Sequence, residues 1–118
     1  MMDVDTLFAG VAVADFGGAV DWYARLFGRA ADVIVKDDEV MWRFADAAWL
    51  YVVRDEERAG RALVALAVAD LDHAVEDIRS RGITGGPIEF VGDAGRKASF
   101  TDADGNKLSF IEVTTSAG

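Results

Sequence analysis

Residues 12–28, AVADFGGAVDWYARLFG, return 55 residues later as residues 67–82, AVADLDHAVEDIRSRG. A repeat at about half the chain length is the first feature to settle, because it decides the whole architecture. In each copy an apolar run, residues 7–13 or 63–68, ends at an aspartate, Asp15 or Asp70. Aspartate caps a helix by accepting a backbone N–H of its first turn. Phe16, Ala19, Val20, Tyr23 and Phe27 then fall at helical spacing, as do Leu71, Ala74, Val75 and Ile78. Gly28 and Gly82 close the two stripes. Three short runs with strand periodicity follow each helix, at 31–36, 40–44 and 49–53, and at 88–91, 96–101 and 107–113. The predicted fold class is α+β, two tandem βαβββ modules. Module one spans 5–54, a charged linker 55–60, and module two 61–115.

Composition narrows the function. With 118 residues and 52% hydrophobic side chains the chain can bury a core. A formal net charge of −9 argues against nucleic acid and anionic membrane as partners, since both require clustered Lys and Arg. It favours a cationic small molecule instead. The sequence has no cysteine, which excludes disulfides, thiolate zinc sites and a cysteine nucleophile. The opening MMDVDTLF lacks the pattern of a signal peptide, and no stretch approaches the roughly 20 apolar residues of a membrane span. A soluble, cytoplasmic protein is expected.

Residues 101–112, TDADGNKLSFIE, look at first like a cation loop. A calcium loop of the EF-hand type needs glycine at its sixth position and glutamate at its twelfth. Counted from Asp102, Gly105 comes too early and so does Glu112, so the calcium reading fails. Turn chemistry fits better: Asp104-Gly105-Asn106 joins two strands, the second with Leu108, Phe110 and Glu112 on one face. On the first strand of each module the bulky face (Val11 and Val13; Val64, Leu66 and Val68) suits a helix stripe, leaving a small-residue face turned elsewhere. That second face is expected to floor a concave sheet, with Glu112, Leu108 and Phe110 on the same inner surface beside Trp42, Trp49 and Tyr51.

On the two AVAD helices and the closing TDADGNKLSFIE hairpin, the chain resembles the vicinal oxygen chelate superfamily, the family of glyoxalase I, extradiol dioxygenases and bleomycin-resistance proteins. The resemblance covers nearly the whole chain. It implies paired modules forming a curved eight-stranded cleft, commonly in a homodimer. It also implies a divalent metal held from the first and last strands of each module. Carried over by register, those positions are Phe8, Leu63, Glu112 and a residue within 51–53. Only Glu112 can ligate well, and one carboxylate does not hold an ion against water. No metal and no other cofactor is therefore expected. His73, the only histidine, is placed on the solvent side of the second helix.

The function expected is metal-independent binding of a small molecule, the sequestration of a cationic or aromatic drug or metabolite as in antibiotic resistance. The residues expected to meet it are Phe8, Trp42, Trp49, Tyr51, Leu63, Phe100, Phe110 and Glu112. In this reading aromatic faces stack on the ligand and Glu112 pairs with its cation. A second expectation is a glyoxalase-type lyase, dioxygenase or isomerase with a non-standard site. There Glu112 acts as general base, its pKa raised by Leu108 and Phe110, and Arg43 orients a substrate carboxylate. A third is a structural role, with Phe8 and Leu63 filling the cleft.

Overall fold

A computed structural model describes residues 2–114, so the last residue of the expected second module, 115, lies outside the described residues. The elements appear in the predicted order. Module one holds β1 (Leu7–Val13), α1 (Phe16–Phe27), β2 (Val33–Lys36), β3 (Glu39–Ala45) and β4 (Ala48–Arg54). Module two holds β5 (Leu63–Ala67), α2 (Leu71–Ser80), β6 (Glu89–Val91), β7 (Gly95–Thr101) and β8 (Lys107–Val113). Both aspartates cap as their chemistry dictates. Asp15 accepts the Gly18 N–H at 3.2 Å and Asp70 the His73 N–H at 3.1 Å.

The eight strands form two four-stranded sheets, ordered β1-β4-β3-β2 and β5-β8-β7-β6. In each sheet the first strand runs parallel to the last and the other pairs are antiparallel. One side of each sheet is covered by its helix. Tyr23 and Leu26 of α1 join Val11, Val13, Leu50 and Val52 in the core, and Leu71 and Ile78 of α2 join Leu108 and Ala98. Among the described residues no helix is long and apolar enough to cross a membrane.

The turn of residues 102–106 proves to be the clasp between the modules. Asp102 Oδ1 accepts the N–H groups of Asp104, Gly105 and Asn106 at 2.9–3.0 Å, and its Oδ2 accepts the Tyr23 hydroxyl at 2.7 Å. Asn106 donates to the Ala12 carbonyl of β1 at 2.8 Å and accepts the Ala62 N–H at 2.9 Å, bridging the edges of the two sheets. Asp104 completes the contact by accepting the Ala14 N–H at 3.2 Å. The linker passes so close that a side chain on Gly60 (φ 88) would meet the Asp104 carbonyl. The motif that looks like a metal loop thus spends its carboxylates on backbone and on Tyr23.

Candidate functional site

Strand register defines the surface left open by the helices. Across the parallel β1–β4 pair, Phe8, Gly10 and Ala12 stand opposite Trp49, Tyr51 and Val53, and β3 adds Arg43 and Met41 opposite Trp49 and Tyr51. Cross-strand partners project on the same side, so these side chains share one face, away from α1. The Phe8 and Trp49 rings stack at 6.1 Å with 25° between planes, and the Arg43 guanidinium lies 5.5 Å from the Trp49 ring centroid. The Tyr51 ring crosses directly over Gly10, where any Cβ would collide with it. Beside this platform the linker closes a cavity of about 520 Å³, lined among others by Gly10, Tyr51, Val53, Asp55, Arg58 and Arg61. Arg58 donates to Asp55 at 2.8 Å, and that hydrogen bond holds the Asp55 carboxyl below its ordinary range.

Module two presents the equivalent face with Leu63, Ala65 and Ala67 beside Lys107, Ser109 and Ile111. Ser109 and Ser99 hydrogen-bond across β7 and β8 at 2.8 Å. Phe8 is 51% exposed and Leu63 78%, so both open faces carry uncovered apolar side chains.

Four of the expected ligand contacts, Phe8, Trp49, Tyr51 and Leu63, stand on these open faces. The other four do not, and each has a physical reason. Trp42 pairs with Leu50, which puts it on the helix side. There it is fully buried among Tyr23 and Phe27 and donates its indole N–H to the Arg29 carbonyl at 3.0 Å. Phe100 and Phe110 pair with Leu108 and Ala98 and pack edge to face in the core, on the helix side of the second sheet. Glu112 follows their parity. One of its oxygens accepts the Leu71 N–H at 2.8 Å and the other accepts from Arg96 at 3.1 Å, while Arg96 also meets Asp72 at 3.0 Å. Glu112 therefore secures the start of α2, where a carboxylate also suits the helix dipole, and cannot greet a ligand on the concave side. The β8 side chains that share a face with Leu63 are Lys107, Ser109 and Ile111. His73 is on the exposed side of α2, 3.2 Å from Asp77.

A second cavity, about 590 Å³, opens at the seam between the modules, with Phe44, Trp49 and Leu50 on one side and Leu66 and Ile78 on the other. It lies at the end of the seam opposite the clasp. Of its charged neighbours, Arg29 pairs with Asp32 at 2.6 Å, Asp77 lies 3.2 Å from His73, and Arg81 donates to the Arg25 and Leu26 carbonyls. It is an apolar crevice with few free polar groups.

Residues 6–110 match the family described as the Glyoxalase/Bleomycin resistance protein/Dioxygenase superfamily. The chain belongs to this superfamily. Among solved structures, a glyoxalase/bleomycin resistance protein from Catenulispora acidiphila is 37% identical, with a TM-score of 0.87 over 92% of this chain and 98% of that one. An antibiotic-binding protein from a Streptomyces species is 23% identical, with a TM-score of 0.76 over 97% and 99% of the two chains. A bleomycin-binding protein complexed with bleomycin is 21% identical, with a TM-score of 0.76 over 93% and 99%. These last two share the fold. No curated protein matches the sequence.

The superfamily resemblance implies a divalent metal, and the residues here do not fit one. Phe8 and Leu63 offer no lone pair, Tyr51 lies flat over Gly10, and Glu112 points to the opposite side of its sheet. Among the described residues no group of three or more Asp, Glu or His side chains converges.

Proposed function

We propose that this superfamily member binds a small aromatic molecule, a drug or metabolite, on its concave face and does so without a metal. The observation that carries the reading is the row of Phe8, Trp49 and Tyr51 on one open face, with Tyr51 lining the cavity at the linker. Flat aromatic side chains presented around a cavity of this size offer stacking area at little entropic cost. Two structures of the same fold are described as antibiotic-binding and bleomycin-binding, which supports a binding role. The enzymatic reading loses its base, because Glu112 is engaged by Leu71 and Arg96 on the helix side. The exposure of Phe8 and Leu63 supports a homodimer in which open faces pair to complete the cleft.

The test is thermal unfolding with a panel of planar aromatic compounds and aromatic antibiotics. At least one compound is expected to raise the midpoint, with the effect lost in Trp49→Ala and Tyr51→Ala and kept in Glu112→Gln. The reading fails if no compound stabilises the protein, or if those that do are indifferent to both aromatic substitutions.

A further inference from the structure

The acidity of the chain conceals a local reversal of charge. Net charge is −9, yet the strand side chains on the open faces include Arg43, Lys97 and Lys107 against Glu39 and Glu89. Within the cavity beside Tyr51 the reversal is sharper. Arg58 and Asp55 neutralise each other at 2.8 Å. Arg61 lines the same cavity and, among the described residues, has no carboxylate or carbonyl partner. Among the described residues that line this cavity the one unmatched charge is therefore positive, supplied by Arg61 just after the linker.

We infer that the ligand carries an anionic group, such as a carboxylate, which Arg61 receives while its ring lies against Tyr51. This rests on the ligand-binding reading above and reverses the preference for cations that net charge alone favours. A planar guanidinium matches a carboxylate with parallel N–H donors, so orientation as well as charge is selected. The open rim moderates the effect, because exposed ion pairs are weak.

The experiment is calorimetric titration of the full chain with three probes of one shape, naphthoate, naphthamide and naphthylmethylammonium. Naphthoate is expected to bind roughly two- to fivefold more tightly than naphthamide, and the cation more weakly than either. Arg61→Ala is expected to abolish the difference between naphthoate and naphthamide, and Tyr51→Ala to weaken all three. Binding without charge preference, or a preference that survives Arg61→Ala, overturns the inference and leaves the ligand-binding reading standing. Absence of binding by all three overturns both.

Discussion

The Tyr23 hydroxyl donates to Asp102 at 2.7 Å, joining helix α1 of the first module to the β7–β8 turn of the second. Burial is the main reason the Tyr23 phenol is pushed far above its ordinary range, with the Asp102 hydrogen bond and charge adding to it. A group with a raised folded pKa lends stability that is fully present below its unfolded pKa, about 10, and declines as pH rises beyond it. Tyr23→Phe is expected to lower stability by about 1–2 kcal/mol at neutral pH and to flatten the loss of stability above about pH 10. Urea unfolding across pH, comparing the two proteins, checks both.

Asp32 supplies the acid-side counterpart. Its carboxyl accepts from the Arg29 side chain at 2.6 Å and the Arg43 N–H at 2.7 Å, and these bonds hold it below its ordinary range, the Arg29 bond foremost. A depressed folded pKa gives stability present above the unfolded value, about 3.9, and lost as pH falls through the folded one. Asp32→Asn is therefore expected to unfold with a shallower pH dependence below about pH 4 than the wild-type protein, measured by thermal midpoint.

Two tryptophans of one sheet separate stability from binding. Trp42→Ala empties a fully buried site and is expected to cost about 3–5 kcal/mol. Trp49→Ala removes a partly exposed ring from the open face and is expected to cost far less while weakening aromatic ligands. Denaturant unfolding and ligand titration on the two variants should give opposite rankings.

Glu112→Ala is a test of placement. Loss of its bonds to Leu71 and Arg96 is expected to cost about 1–2 kcal/mol of stability, with ligand affinity unchanged. Equally, excess manganese, nickel, zinc or iron(II) is expected to leave the unfolding midpoint where it is. A metal present at 100 times its Kd adds about 2.7 kcal/mol, so even moderate binding is visible.

The architecture was legible because its determinants are local. Asp15 and Asp70 mark helix starts, and alternation along 49–53 or 107–113 marks strands. Alternation also told correctly that Leu108, Phe110 and Glu112 share a face. Which face meets the helix is not local information. It depends on pairings such as Leu63 with Lys107 and Trp42 with Leu50, and a one-residue change of parity exchanges core for cleft. That is why Trp42, Phe100, Phe110 and Glu112 read as ligand contacts and stand in or beside the cores. The linker was legible as charged, but the placement of Arg61 beside Tyr51 depends on the clasp folding back at Gly60. Phe8, Trp49 and Tyr51 were legible as side chains of the open face, but the fit of the Tyr51 ring over Gly10 depends on the β1–β4 register.

The most direct measurement is an amide NMR titration of the isotopically labelled protein with naphthoate. The account predicts shift changes gathered at Gly10, Tyr51, Val53 and Arg61, on β1, β4 and the start of module two. Changes gathered instead at Ile78, Phe44 and Leu66 in the seam, or at Glu112, would contradict it.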